Sequence, residues 1–207
     1  HRLYQLPYAT IRRYDVGRLG NPKFPRQQKM PAYKPLLAEV IDSVEAYVKL
    51  KKLPAPHYNL ETKTTPAGDG TLHPAPAEFM ERVLAVLRPK NLGPRLIIQS
   101  FDPRTLELLH RAEPTWRTAL LVDNPDGLDA NLRRLSFRPS IYSPHCRLVT
   151  PALVQSAHAQ GLRLIPWTVN SPEEVQRLVG LGVDGIISDS PDLFGPPAAA
   201  PRPPGRK

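Results

Sequence analysis

The chain has 207 residues, 41% hydrophobic and 23% charged, enough for one domain of ordinary size or two small ones, with a sizeable core affordable. Its longest apolar runs, such as Leu96-Ile97-Ile98, fall far short of the roughly 18 residues a membrane span needs. A single cysteine, Cys146, excludes an intramolecular disulfide framework and any zinc site built from several thiolates.

The first residues are basic and irregular. Lys and Arg number 28 against 19 Asp and Glu, a formal charge of +9. Residues 1–52 hold 11 basic and 4 acidic side chains, and residues 195–207 hold three basic and no acidic ones, so the middle is nearly neutral. Charge carried by the least regular stretches reads as solvated tails and loops, not as a nucleic-acid surface with aromatic platforms. Residues 1–34, studded with Pro7, Pro22, Pro25 and Pro31, read as an extended basic arm. No charged-then-apolar leader follows His1, and the compartment stays unassigned, with the cytoplasm favoured. Proline, 26 of 207 residues, is about 2.5 times the usual ~5%, which forbids long uninterrupted helices.

From Pro35 a regular alternation begins. Leu36, Leu37, Val40, Ile41, Val44 and Val48 recur at helical spacing. Tyr58-Asn-Leu-Glu-Thr-Lys63 reads as a strand with polar residues at its carboxyl end, and a helix from about Pro76 carries Phe79, Met80, Val83, Leu84 and Leu87. Arg95–Gln99 is a buried-type strand, and Asp102-Pro103 opens the next helix as N-cap and first-turn proline. Thr118–Val122 is a strand, a short helix follows around Leu128–Leu135, and Ser140–Ser143 is extended. Thr150-Pro151 opens a helix that stops at Gly161, and Leu162–Val169 is a strand. Ser171-Pro172-Glu173-Glu174 reads as a capping box, Gly182–Ile187 as the last strand, and Asp189-Ser190-Pro191 as the cap and turn of a final helix. Residues 195–207, with five prolines and no apolar period, read as a disordered tail.

Strands and helices alternating every 20–25 residues imply right-handed βαβ units and a parallel sheet. No GxGxxG or GxxxxGK[ST] turn follows any strand, which removes the usual nucleotide-binding reading. The candidate architectures are a doubly wound sheet and a (β/α) barrel, and polar residues gather at several strand ends, the pattern of a TIM-barrel active face, which favours the barrel. Glu61 and Lys63, two apart, leave the same strand face. They form either an internal ion pair or a functional couple, in which Glu61 binds a hard cation and Lys63 neutralises an anion such as phosphate. Trp167 at another strand end is either a wall against a substrate's carbon skeleton or a core aromatic, the residue pattern favouring the core. His145-Cys146 is not read as a base and its nucleophile, because chain neighbours rarely face each other.

Four segments, in order, resemble one family. These are Tyr58-Asn-Leu-Glu-Thr-Lys63, Ile97-Ile-Gln-Ser-Phe-Asp-Pro103, Ala157-His-Ala-Gln-Gly161 with Pro166-Trp-Thr-Val-Asn170, and Gly182-Val-Asp-Gly-Ile-Ile-Ser-Asp189-Ser-Pro191. From about residue 11 to 194 the chain is similar to the glycerophosphodiester phosphodiesterases. The resemblance implies a (β/α)8 TIM barrel that hydrolyses a small-molecule glycerophosphodiester to glycerol 3-phosphate and an alcohol, with a divalent ion (Ca2+ or Mg2+). It implies Glu61 as a metal carboxylate, Lys63 as the phosphate-facing catalytic lysine and Trp167 as the substrate-binding aromatic beside the glycerol. The family's His-Arg-Gly, Glu-x-Asp and His-Asp strands do not occur in this sequence. The expectation is therefore an N-terminally incomplete barrel holding about the last five strands, with an irregular arm at 1–34, a partial barrel domain at 35–194 and the tail at 195–207. Such a chain is expected to be inactive in this form. The alternatives are a non-catalytic pseudoenzyme or interaction module, or another phosphate-handling TIM-barrel enzyme. The oligomeric state is not read from the sequence.

Overall fold

A computed structural model describes residues 2–195; the expected tail from residue 196 onward lies outside the described residues. The chain divides into two compact units between Arg117 and Thr118. Every strand pairing within the units is parallel, and no described helix is long and apolar enough to cross a membrane.

In the first unit the basic segment is not uniformly extended. It holds a 3-10 turn at Leu3–Gln5 and a short helix α1 (Tyr8–Ile11). Two contacts organise it: the Tyr8 hydroxyl donates to Glu39 Oε2 at 3.0 Å, and Asp15 Oδ1 accepts the Gly17 and Arg18 amides at 2.9 and 3.0 Å. Helix α2 (Leu37–Lys51) forms where the apolar spacing predicts, but of the expected stripe only Ile41 is buried. Glu39 fixes its start by accepting the Leu36 amide at 3.0 Å.

Strand β1 (Tyr58–Glu61) pairs in register with β2 (Leu96–Ser100), Tyr58 opposite Leu96 and Glu61 opposite Gln99. Helices α3 (Pro76–Leu87) and α4 (Pro103–Ala112) bury Met80, Leu84, Leu87, Leu106 and Leu109. At the amino ends of both strands, Glu45 of α2 accepts from the Tyr58 hydroxyl at 2.7 Å and from Arg95 at 2.7 and 3.2 Å. Burial, followed by the Glu45 hydrogen bond, pushes the Tyr58 phenol up to about 12.

At the carboxyl ends a second network forms around Asp102. Its Oδ1 caps α4 by accepting the Arg104 amide at 3.0 Å, and its Oδ2 accepts the Thr64 hydroxyl at 2.9 Å. Arg104 binds Asp102 Oδ2 at 2.7 Å and reaches across to Asp69 at 2.7 and 3.2 Å, clamping the loop after β1 to the start of α4. Burial raises the Asp102 carboxyl, but Arg104 and the donated hydrogen bonds outweigh it and hold the group below the usual carboxylate range.

In the second unit β3 (Arg117–Val122) pairs with β4 (Ile141–Pro144), and β4 with β5 (Arg163–Leu164). Helices α5 (Leu128–Leu132), α6 (Pro151–Ala159) and α7 (Pro172–Gly180) intervene or follow. Thr150 and Ser171 cap α6 and α7 with their hydroxyls, as predicted. The capping box is only half formed, because the Glu174 carboxylate turns to Arg177 at 2.9 Å instead of to the Ser171 amide. Gly161, at φ 72°, ends α6 in a conformation that side chains disfavour.

Two predicted strands differ. Leu162–Val169 is a ladder strand only at Arg163–Leu164: the Ile165 and Trp167 amides still donate to the Tyr142 and Pro144 carbonyls at 3.1 Å, but Pro144 on the facing strand has no amide to donate in return. Gly182–Ile187 is not a strand, yet the Asp184 amide donates to the Leu164 carbonyl at 2.9 Å and the Ile187 amide to Pro166 at 2.9 Å. It runs beside β5 with ladder bonds too sparse for a regular strand. The expected final helix is a 3-10 turn at Pro191–Phe194 with Ser190 at its cap position, while Asp189 is spent on Asn170.

Replacing Asp102 by alanine is expected to cost about 2 kcal/mol of unfolding free energy, by losing a helix cap and orphaning buried donors. Urea denaturation measures it. A depressed native pKa stabilises the folded chain above the ordinary value near 3.8. The advantage over D102A therefore stays full above that pH and disappears as the pH falls through the lower native value.

Candidate active-site residues

Alternation along β1 decides which side chains are offered to a ligand. Thr62 and Thr64 continue the strand on the helix-covered side, buried, with Thr62 Oγ1 2.8 Å from Thr105 Oγ1 of α4. The Thr62 amide donates to the Gln99 carbonyl at 2.9 Å, so the ladder carries on past Glu61. Asn59, Glu61 and Lys63 therefore leave the opposite face, and all three are exposed. Asn59 Nδ2 donates to Gln99 Oε1 at 3.0 Å, and Lys63 Nζ lies 3.6 Å from Glu61 Oε1. The same-face spacing thus brings carboxylate and ammonium together, as predicted. The Lys63 side chain is 82% exposed, so the couple is not an internal ion pair.

Trp167 lies in the second unit. Its amide donates to the Pro144 carbonyl at 3.1 Å, and its indole N–H donates to the Ser143 carbonyl at 2.9 Å. Ser143 is buried and donates its own hydroxyl to the Ile165 carbonyl at 2.6 Å, fixing the end of β4. Trp167 is half-buried, so it is anchored without being a core residue. Its ring meets that of His145 edge to face, with centroids 5.0 Å apart and planes at 73°. The sequence reading missed this pair. The signal available was His145 directly after the predicted strand Ser140–Ser143, since strand ends carry functional groups in such folds.

Cys146 and His145 do touch, with Sγ 3.7 Å from Nδ1. Burial, then the nearby Glu174 carboxylate, pushes the Cys146 thiol up. A thiol held protonated is a poor nucleophile, so the contact does not make a catalytic pair. Beyond Trp167, the Asn170 side chain donates to Asp189 Oδ2 at 3.0 Å and accepts from the Ser188 hydroxyl and the Asp189 amide at 3.1 and 2.9 Å. This stitches the end of the Trp167 segment to the end of the Gly182–Ile187 segment.

The fit of the expected divalent ion can be tested on the donors. Hard cations take six or more oxygen ligands, or several with water retained. Glu61 supplies one carboxylate and already has an ammonium beside it. Among the described residues no three His, Cys, Asp or Glu side chains are grouped to hold a metal. The residues described here do not by themselves fit a resident divalent ion.

Parallel strands alternating with helices in both units define an α/β protein. The model of the glycerophosphoryl diester phosphodiesterase family matches residues 2–193. The chain belongs to that family. A glycerophosphodiester phosphodiesterase of Bacillus subtilis is 28% identical over 199 residues, 90% of this chain and 62% of that protein. A namesake from Caldanaerobacter subterraneus is 28% identical over 118 residues, 55% of this chain and 46% of its own length. The chain thus spans about half to three-fifths of these curated relatives. A crystal structure from Silicibacter pomeroyi, assigned as a glycerophosphoryl diester phosphodiesterase, superposes with TM-score 0.75 at 33% identity, over 91% of this chain and 66% of that one. An Oleispira antarctica phosphodiesterase, solved with its product sn-glycerol 3-phosphate, shares the fold with TM-score 0.67 at 21% identity, over 91% of this chain and 68% of that one.

An exposed ion pair contributes little to folding. Glu61→Ala and Lys63→Ala are each expected to change the unfolding free energy by less than about 1 kcal/mol, unlike Asp102→Ala. Denaturation of the three variants side by side checks this, and a large loss at Lys63 would return the couple to a structural role.

Proposed function

We propose that this chain is the carboxyl-terminal part of a (β/α)8 barrel that hydrolyses glycerophosphodiesters to glycerol 3-phosphate and an alcohol. The observation that carries the reading is the Glu61–Lys63 couple, a carboxylate and an ammonium 3.6 Å apart on an exposed strand end in a chain of this family. Lys63 neutralises charge on the phosphate, where an exposed ammonium stabilises the developing negative charge of phosphoryl transfer. Trp167 walls the carbon skeleton of the glycerol, its indole held in orientation by the Ser143 carbonyl. Glu61 is one oxygen donor toward a divalent ion, preferably Ca2+ or Mg2+. The remaining donors, like the proton-transfer pair, belong to strands that the described residues do not supply.

On this reading five strands are the last part of the barrel, and β1 is the strand that the preceding part pairs with. General acid–base catalysis is worth about 10²–10⁴-fold, so the chain alone is expected to release no measurable glycerol 3-phosphate from glycerophosphocholine. The decisive experiment is the adjoining coding sequence. His-Arg-Gly, Glu-x-Asp and His-Asp segments within about 60–90 residues upstream support the reading, by the barrel repeat of roughly 25–30 residues per strand and helix. The longer protein should then hydrolyse glycerophosphocholine in a chelator-sensitive reaction, and Glu61→Ala should reduce turnover at least 100-fold, on the scale of a lost charge-stabilising group. Wild-type turnover in that variant would remove Glu61 from the mechanism. Absence of the upstream segments would favour a non-catalytic module.

A further inference from the structure

His145 stands at the carboxyl end of β4 with its ring against Trp167. Its Nδ1 accepts the Arg147 backbone amide at 3.2 Å, which makes the imidazole the cap of the 3-10 turn Cys146–Leu148. A backbone N–H can only donate, so Nδ1 must be the unprotonated nitrogen and the ring proton must sit on Nε2. The Cys146 sulfur, 3.7 Å from the same Nδ1, is also on the accepting side of the ring.

The surrounding charges are already matched. Arg147 pairs with Asp123, and Arg177 with Glu174. Nε2 has no hydrogen-bond partner among the described residues, and the ring is half-buried. The result is a neutral ring of fixed tautomer and fixed plane, with one uncommitted N–H, packed on the aromatic that walls the proposed substrate. A cap alone explains Nδ1. It does not explain why the ring is also seated edge to face on Trp167.

We infer that His145 is a specificity-determining residue that donates its Nε2–H to a hydroxyl oxygen of the glycerol moiety lying against Trp167. A neutral donor beside an indole suits an uncharged hydroxyl, and it adds no positive charge for the phosphate. The ring is not a general acid in this state, because giving up its single proton would leave an imidazolate. The inference rests on the proposed placement of the glycerol at Trp167.

The test uses this chain. Asparagine at the position, H145N, keeps an oxygen that can accept the Arg147 amide, so the turn stays capped while the donor is shortened and lost to the ligand. Binding of sn-glycerol 3-phosphate is followed by the fluorescence of Trp167 in a W116F background, and the His145 tautomer by nitrogen-15 NMR. The expected result is an Nε2–H tautomer whose resonance moves with sn-glycerol 3-phosphate but not with inorganic phosphate. The affinity of H145N should be about 3- to 10-fold weaker, the worth of one neutral hydrogen bond. Propyl phosphate, which lacks the hydroxyls, should bind both proteins equally. An Nδ1–H tautomer overturns the inference. So does unchanged affinity in H145N while Trp167 still responds, which leaves the glycerol placement standing. If sn-glycerol 3-phosphate perturbs neither ring, the placement at Trp167 fails and the inference falls with it.

Discussion

The Asp102 carboxylate is the point on which the first unit turns. It caps α4, accepts the Thr64 hydroxyl and holds Arg104, which in turn grips Asp69 at 2.7 Å. A buried carboxylate is costly unless its lone pairs are filled, and here donors from both sides of the β1–β2 pair fill them. The arrangement explains why Glu61 and Lys63 can be exposed without loss. The even-numbered side of the strand end is locked by threonines into this network, so the odd-numbered side needs no partner to stay in place. Burial and exposure are thus divided between the two faces of one strand.

Helix starts were the most legible part of the fold. Asp102-Pro103, Thr150-Pro151 and Ser171-Pro172 each combine a capping side chain with a proline, and the structure places a helix start at all three. The signal is local, since the cap reaches only two or three residues ahead. The Glu61–Lys63 couple was legible for a similar reason, because a period of two needs no knowledge of the partner strand. The longer-range features were not. Arg104 and Asp69 are 35 residues apart, and nothing in either segment announces that they meet. The half-formed capping box at Ser171 shows the limit from the other side. Glu174 has two available partners, and the arginine three residues ahead offers it a charge that the Ser171 amide lacks.

Trp167 and His145 show how a contact can stay hidden from a secondary-structure reading. The sequence places Trp167 at a strand end, and His145 two residues beyond the extended piece Ser140–Ser143. Their contact depends on the parallel register of β4 and the segment following β5, which brings residue 145 beside residue 167. Family membership adds a constraint of a different kind. The matches cover 55% and 90% of this chain but only 46% and 62% of the two relatives. A hard divalent ion asks for more oxygen donors than Glu61 offers, and among the described residues no three His, Cys, Asp or Glu side chains are grouped to hold one.

Helices α3, α4, α6 and α7 all begin with proline. A ring that presets one backbone angle trims the choices open to a disordered polypeptide before any long-range partner has arrived. As the chain emerges during synthesis, the starting points of four of its helices are therefore written into it in advance, and each strand has only to wait for a neighbour whose starting point is already set.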